Sequence, residues 1–156
     1  GDVDRGEPTF SISDATVTSI YYSTKNLLAV VYEIKWAAPE QVLRWDRNIG
    51  NRQIVSGSET VRPGDTIFVR HWHLSNDGYT ARWAIGDRLA AGDVVGYLGD
   101  YPNGGDHLHF DMALDPFQAG TWHTVEPDAR WVDPIDVLLA HADKAVVMEM
   151  LGRGDG

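Results

Sequence analysis

Short apolar runs, some alternating with polar residues and some continuous, recur along the chain between Gly, Pro, Asn and Asp. Thr9 to Ile20 is rich in Thr, Ser, Val and Ile. Leu27 to Trp36 reads LLAVVYEIKW, partly alternating and apolar enough for a buried strand. Ile67 to Leu74, IFVRHWHL, predicts a third strand. Because side chains alternate across a strand, Phe68, Arg70 and Trp72 should share one face, and Val69, His71 and His73 the other. Asp93 to Leu98 and His107 to Leu114 predict two more strands. The residues between these runs are turn formers, as short antiparallel strands require. Pro39 to Pro63 interrupts this rhythm and reads as an added excursion, partly a hairpin, because NIGNRQIV carries a turn signal. An excursion of that length in a compact domain is usually functional or mobile.

One stretch, 133–151, is helical in pattern. Asp133 suits the N-cap, Pro134 the first helical position and Asp136 the first turn. Ile135, Leu138, Leu139, Ala142, Val146 and Met150 keep helical spacing, and Gly152 ends it. Residues 152–156 contain an Arg-Gly-Asp triplet and read as a flexible tail. The expected fold is mainly β, an antiparallel, sandwich-like core with a C-terminal α-helix, in a single domain over 1–156.

Composition narrows the function classes. The chain is 43% hydrophobic, enough for a core, and carries a formal charge of −10. That charge argues against nucleic acid and against an anionic membrane surface. The longest clearly apolar run, near Leu27 to Tyr32, is too short to span a bilayer. No signal peptide is visible, and a start at Gly1 without Met reads as a processed or excised domain. With no cysteine, a metal would have to use His and carboxylate ligands.

The chemistry concentrates in GDHLHFDM, residues 105–112. In a strand, His107 and His109 stand on one face while Leu108 and Phe110 take the other. Two imidazoles on one rigid surface can bind a metal, move a proton, or do one of each.

Gly86 to Met112, GDRLAAGDVVGYLGDYPNGGDHLHFDM, resembles the lysostaphin-type, LytM-like zinc endopeptidases that cut peptidoglycan cross-links. The shared pattern is a glycine-punctuated hairpin (Gly92, Gly96, Gly99), a loop with Asn103, Gly104 and Gly105, then His-Leu-His-Phe and an acidic residue. HWHLS at 71–75 is similar to the family's Tyr-x-His-Leu-Ser, with His71 replacing the tyrosine. GEPTFSISDATVTSI at 6–20 and WVDPIDVL at 131–138 resemble its opening strand pair and closing Asn/Asp-Pro step. The resemblance leaves out the 39–63 excursion and the C-terminal helix.

The resemblance implies a Zn2+ site with His109 as a ligand, and His107 and His73 as catalytic histidines. It implies peptidoglycan peptides as substrate and an extracytoplasmic location. The family's N-terminal His-x-x-x-Asp motif is not in this chain, which has no histidine before His71. GDVDRGEPTF resembles the turn that follows that motif. The further ligands are therefore expected upstream of Gly1, in preference to Asp2 or Asp4. If the parent protein lacks the motif too, the domain would be a degenerate, non-catalytic module that binds cell wall or regulates a partner hydrolase.

Other histidines and the tryptophans have simpler expectations. His71 reads as a stacked or hydrogen-bonded stand-in for Tyr, and His123 and His141 as surface residues. Trp36, Trp72 and Trp83 should be core or strand-face residues. Trp45, Trp122 and Trp131 could line a sugar or peptide groove, though core packing is the simpler expectation for them too. A cupin would need a glycine at Tyr101 and a glutamate at Ala113 or Leu114. A lipoyl carrier would need a lysine in the hairpin turn, and the lysines are Lys25, Lys35 and Lys144.

Overall fold

A computed structural model describes residues 6–22, 27–75, 82–99, 109–116 and 129–141. Among these residues ten strands and one helix follow in chain order: β1 (Pro8–Phe10), β2 (Ala15–Tyr22), β3 (Leu27–Lys35), β4 (Gln41–Gly50), β5 (Gln53–Val61), β6 (Thr66–Ser75), β7 (Arg88–Leu89), β8 (Val94–Tyr97), β9 (His109–Ala113), β10 (Trp131–Val132) and α1 (Pro134–His141). The larger sheet runs β5-β4-β10-β9-β6-β3-β2-β7, and β1 pairs with β8 in a smaller one. All the pairings are antiparallel. The fold is thus mainly β and sandwich-like with a C-terminal helix, as the sequence pattern predicts.

The continuous apolar run in β3 is explained by burial on both faces. Leu28, Val30, Tyr32 and Ile34 join one core cluster with Ile67, Val69, Val95, Leu98, Met112 and Val137. Ala29 and Val31 join a second cluster on the opposite face with Tyr21, Trp72 and Ala113. Each fully buried aliphatic side chain contributes roughly 1.5–3 kcal/mol. Trp36 is buried, and Trp83 packs on the first cluster.

A polar line crosses that first, inner cluster. His71 is 1% exposed. Its Nε2 lies 2.8 Å from Tyr32 Oη and its Nδ1 3.0 Å from Thr9 Oγ1. Thr9 Oγ1 donates to the Gly96 carbonyl, so Nδ1–H donates to Thr9 and Nε2 accepts from Tyr32. Phe110 meets the ring edge-on at 5.0 Å. His71 is thus a hydrogen-bonded and stacked core residue, and it joins β1 of the small sheet to β3 and β6 of the large one.

The 39–63 excursion folds as a β4–β5 hairpin built into the large sheet, with β4 pairing β10. Asn51 and Arg52 both take positive φ (50° and 60°), as a type I′ turn demands. The Trp45 indole lies across Gly57, where a Cβ would collide with Cζ2, Cε2 and Cη2 of the ring.

Helix α1 starts as its sequence predicts: Asp133 Oδ1 accepts from the Ile135 amide at 3.0 Å. It is described through His141, and the rest of the expected 133–151 helix lies outside the described residues, as does the 152–156 tail. His141 corrects its expectation as a plain surface residue. Its Nδ1 donates to the Val137 carbonyl (3.1 Å), its Nε2 accepts from the Ala37 amide (3.0 Å), and its ring stands edge-on to Trp36. It ties the helix to the end of β3. Among the described residues, no helix is long and apolar enough to cross a membrane.

Burial pushes the His71 pKa down to about 3. Between that value and the unfolded value near 6.5, the unfolded chain takes up a proton that the folded chain refuses. Stability should therefore fall as pH drops through this window, by up to about 1.4 kcal/mol per pH unit from this one group. Urea unfolding at pH 4 to 7 should show this slope in the wild type and lose it in His71→Phe/Tyr32→Phe. Tyr32→Phe alone leaves Nε2 without its donor and should cost roughly 1–3 kcal/mol at pH 7.

Candidate functional site

The face of the large sheet opposite the His71 line carries most of the charge near the histidines. Register sets Arg70 opposite Asp111, Phe68 opposite Ala113 and Trp72 opposite His109. On the other side of β9, Trp131 lies opposite Ala113. Opposed residues of an antiparallel pair share a face. Positions 68, 70 and 72 thus form one surface with 109, 111, 113 and 131, as the alternation of IFVRHWHL predicts.

Arg70 is the centre of this surface. It is only 3% exposed. Its Nε and Nη2 both donate to Asp111 Oδ2, the first at 2.8 Å, and its Nη1 donates to Tyr21 Oη at 2.9 Å. The guanidinium sits 4.8 Å from the Trp72 ring and 5.3 Å from the Trp131 ring. A buried cation costs several kcal/mol unless paired. Here a carboxylate, a phenol and two indole faces answer it together. Arg70, Asp111 and Tyr21 were not among the site residues read from sequence. The available signal was that IFVRHWHL and LHFDMAL each hold one lone charge, of opposite sign, among apolar neighbours.

His73 departs from the alternation predicted for β6. Its φ is +65°, the left-handed region, which shifts the phase of the strand by one residue. Leu74 joins the inner cluster in its place, and bridges Leu98 of the small hairpin. The His73 carbonyl accepts from the Gly99 amide at 3.0 Å. The buried His73 ring lies 5.0 Å from the Trp72 ring. His71 and His73 are therefore separated: His71 is sealed in the inner core, and His73 lies against a tryptophan of the Arg70 surface.

Position 109 opens β9 directly across from Trp72. The backbone thus brings two of the three expected site positions, 73 and 109, to either side of Trp72. His107, Asp2 and Asp4 lie outside the described residues, as do Trp122 and His123. Zinc needs three or more protein ligands. Among the described residues no group of three His, Asp or Glu is placed to hold a metal. Asp111, the acidic residue after His-Leu-His-Phe, is engaged by Arg70 through Oδ2.

A concavity of about 350 Å³ lies at the β4–β10–α1 junction, lined by Trp45, Trp131, Arg44, Asp46, Asp133 and Asp136 among others. Trp45 and Trp131, two of the possible groove tryptophans, thus border a cleft as well as packing on the core clusters. Beside it, Arg130 holds Asp115 through three nitrogens, its backbone amide, Nε and Nη2, and reaches Glu59. Burial alone would raise the Asp115 carboxyl. Hydrogen bonds from Arg130, with the charges of Arg130 and Arg47, bring it below its ordinary value.

Removing one partner of the central ion pair strands the other. Asp111→Ala should destabilise the fold by roughly 3 kcal/mol, whereas Arg70→Met/Asp111→Leu should recover most of that loss, in denaturant unfolding at neutral pH. Compared with known proteins, the chain matches no family model, no curated protein and no solved structure.

Proposed function

We propose that this domain is a zinc-dependent endopeptidase acting on cross-links or stem peptides of peptidoglycan, outside the cytoplasm. His109 is the metal ligand within the chain, and His73 and His107 handle protons. The reading rests on the LytM-like motif, and one structural observation supports it. The left-handed turn at His73 sets this imidazole beside Trp72, whose strand partner is position 109. Histidine enters the left-handed region more readily than most residues, and the conformation still costs about 1–3 kcal/mol that the surrounding structure must offset. Zinc in such a site lowers the pKa of a bound water to about 7 and polarises a carbonyl. In this reading the His73 imidazole donates a hydrogen bond to the developing oxyanion or returns a proton to the leaving amine. The buried setting of Trp72 and Arg70 excludes water from one side of it.

One observation favours a second reading, a non-catalytic wall-binding or hydrolase-regulating module. The cleft bordered by Trp45 and Trp131 offers indole, carboxylate and guanidinium groups, with no histidine among its described lining residues. Saccharide or peptide binding could use it without a metal.

The two are separated by assaying this chain and an N-terminally extended one with added Zn2+. The peptidase reading expects about one zinc per chain in the extended form, and new amino termini in cross-linked muropeptides. His109→Ala should lose zinc. His73→Asn keeps a residue tolerant of positive φ, so it should keep fold and zinc while the cleavage rate falls about 10²–10⁴-fold. Sedimentation with sacculi but no zinc and no cleavage in either form would replace this reading with the second.

A further inference from the structure

The two edges of the large sheet are unequal. β7 is a two-residue strand, Arg88–Leu89, whereas β5 runs nine residues, Gln53–Val61. Among the described residues, β4 pairs with one side of β5 and nothing pairs with the other. Long exposed edges are normally blunted by proline, lysine, a bulge or a cover. β5 (QIVSGSETV) has no proline and no lysine, its one charge is Glu59, and its pairing with β4 is regular from Val61 to Ile54. The rest of the strand is exposed or half-exposed, apart from Val61.

We infer that β5 pairs antiparallel with β5 of a second copy, about a twofold axis at Gly57, joining two large sheets into one. The twofold requires the strand to be complementary to its own reverse. Centred on Gly57, Ser56 faces Ser58 of the other copy, Val55 faces Glu59 and Ile54 faces Thr60, so no like charges oppose. Three features of the hairpin favour this register. Val42 lies opposite Thr60 within the hairpin, so it enters one row with Ile54 of the other copy. These two side chains are 61% and 62% exposed, among the most exposed large apolar groups described. Arg47 lies opposite Val55, so Glu59 of the other copy enters the row of a cation. Finally, the Trp45 ring overlies Gly57, so the two indoles flank the axis.

A charge-pairing experiment on the whole chain tests the interface and its register. Sedimentation equilibrium of the wild type, from low micromolar to submillimolar, should show a reversible monomer–dimer equilibrium. Ser56→Lys/Ser58→Lys sets lysine against lysine at both crossings, and Ser56→Glu/Ser58→Glu sets glutamate against glutamate. Each should weaken the dimer by at least about tenfold. Mixed in equal amounts they should form a heterodimer, because every introduced lysine then faces an introduced glutamate. Circular dichroism and thermal unfolding of each variant check that the hairpin is intact. A wild type that stays monomeric overturns the inference, including the case in which this edge serves a strand of some other protein. So does a dimer indifferent to both variants, or variants that fail to pair with each other.

Discussion

The line Tyr32–His71–Thr9 holds the two sheets in one relation. The small sheet has few residues of its own, and its three-residue strand β1 could not be fixed by hydrophobic burial alone. Apolar contact is non-directional and would tolerate sliding. A buried imidazole with one donor and one acceptor nitrogen does not, because each wrong position leaves a polar atom bare in the core. With Nδ1 committed to Thr9 and Nε2 to Tyr32, β1, β3 and β6 have one arrangement in which all three are satisfied. The depressed His71 pKa belongs to the same constraint: burial removes the charged form of the ring from the solvent that would stabilise it.

From that fixed point the strand β6 distributes everything else. Its residues up to Trp72 obey alternation, so Ile67, Val69 and His71 face the inner core and Phe68, Arg70 and Trp72 the outer face. At His73 a left-handed residue inserts a change of phase. Leu74 then turns inward to bridge Leu98, and His73 is delivered to Trp72. One backbone irregularity thus secures the junction with the small hairpin and moves an imidazole from the sealed side of the sheet to the side bearing Arg70 and position 109.

Particular residues show what the sequence could and could not reveal. Strands β3 and β6 were legible because long β-branched and aromatic runs permit few other structures. The helix start was legible because Asp133 and Pro134 each have a specific physical role there. The face shared by positions 68, 70 and 72 followed from period two alone. The place of His73 did not, because a non-glycine residue with positive φ has no strong sequence signature and every later residue depends on it. His141 was unreadable for another reason: its partners, Ala37 and Trp36, are remote in sequence and meet it only after the helix docks. The 39–63 segment was legible as partly a hairpin, but not as the end of the large sheet, since its exposed Arg, Ser and Asn positions hide the alternation of strands that are buried at only a few points.

The adjacent pair Arg70 and His71 also settles a problem that hydrophobic patterning leaves open. β6 is buried on both faces, so its apolar residues would accept a slip of one position nearly as well as the native register. A slip exchanges faces. Arg70 would enter the inner core, away from Asp111 and Tyr21, and His71 would leave Tyr32 and Thr9 for the face that holds the ion pair. Leaving a buried cation and a buried imidazole unmatched together costs on the order of 5 kcal/mol. That is comparable with the whole stability of an ordinary domain, about 5–15 kcal/mol, so the slipped sheet is scarcely folded at all. Two neighbouring polar residues with incompatible demands, one needing a carboxylate and the other a hydroxyl on each side, thus define the register of the central strand, and with it the alignment of positions 72 and 109 on which any chemistry at this face depends.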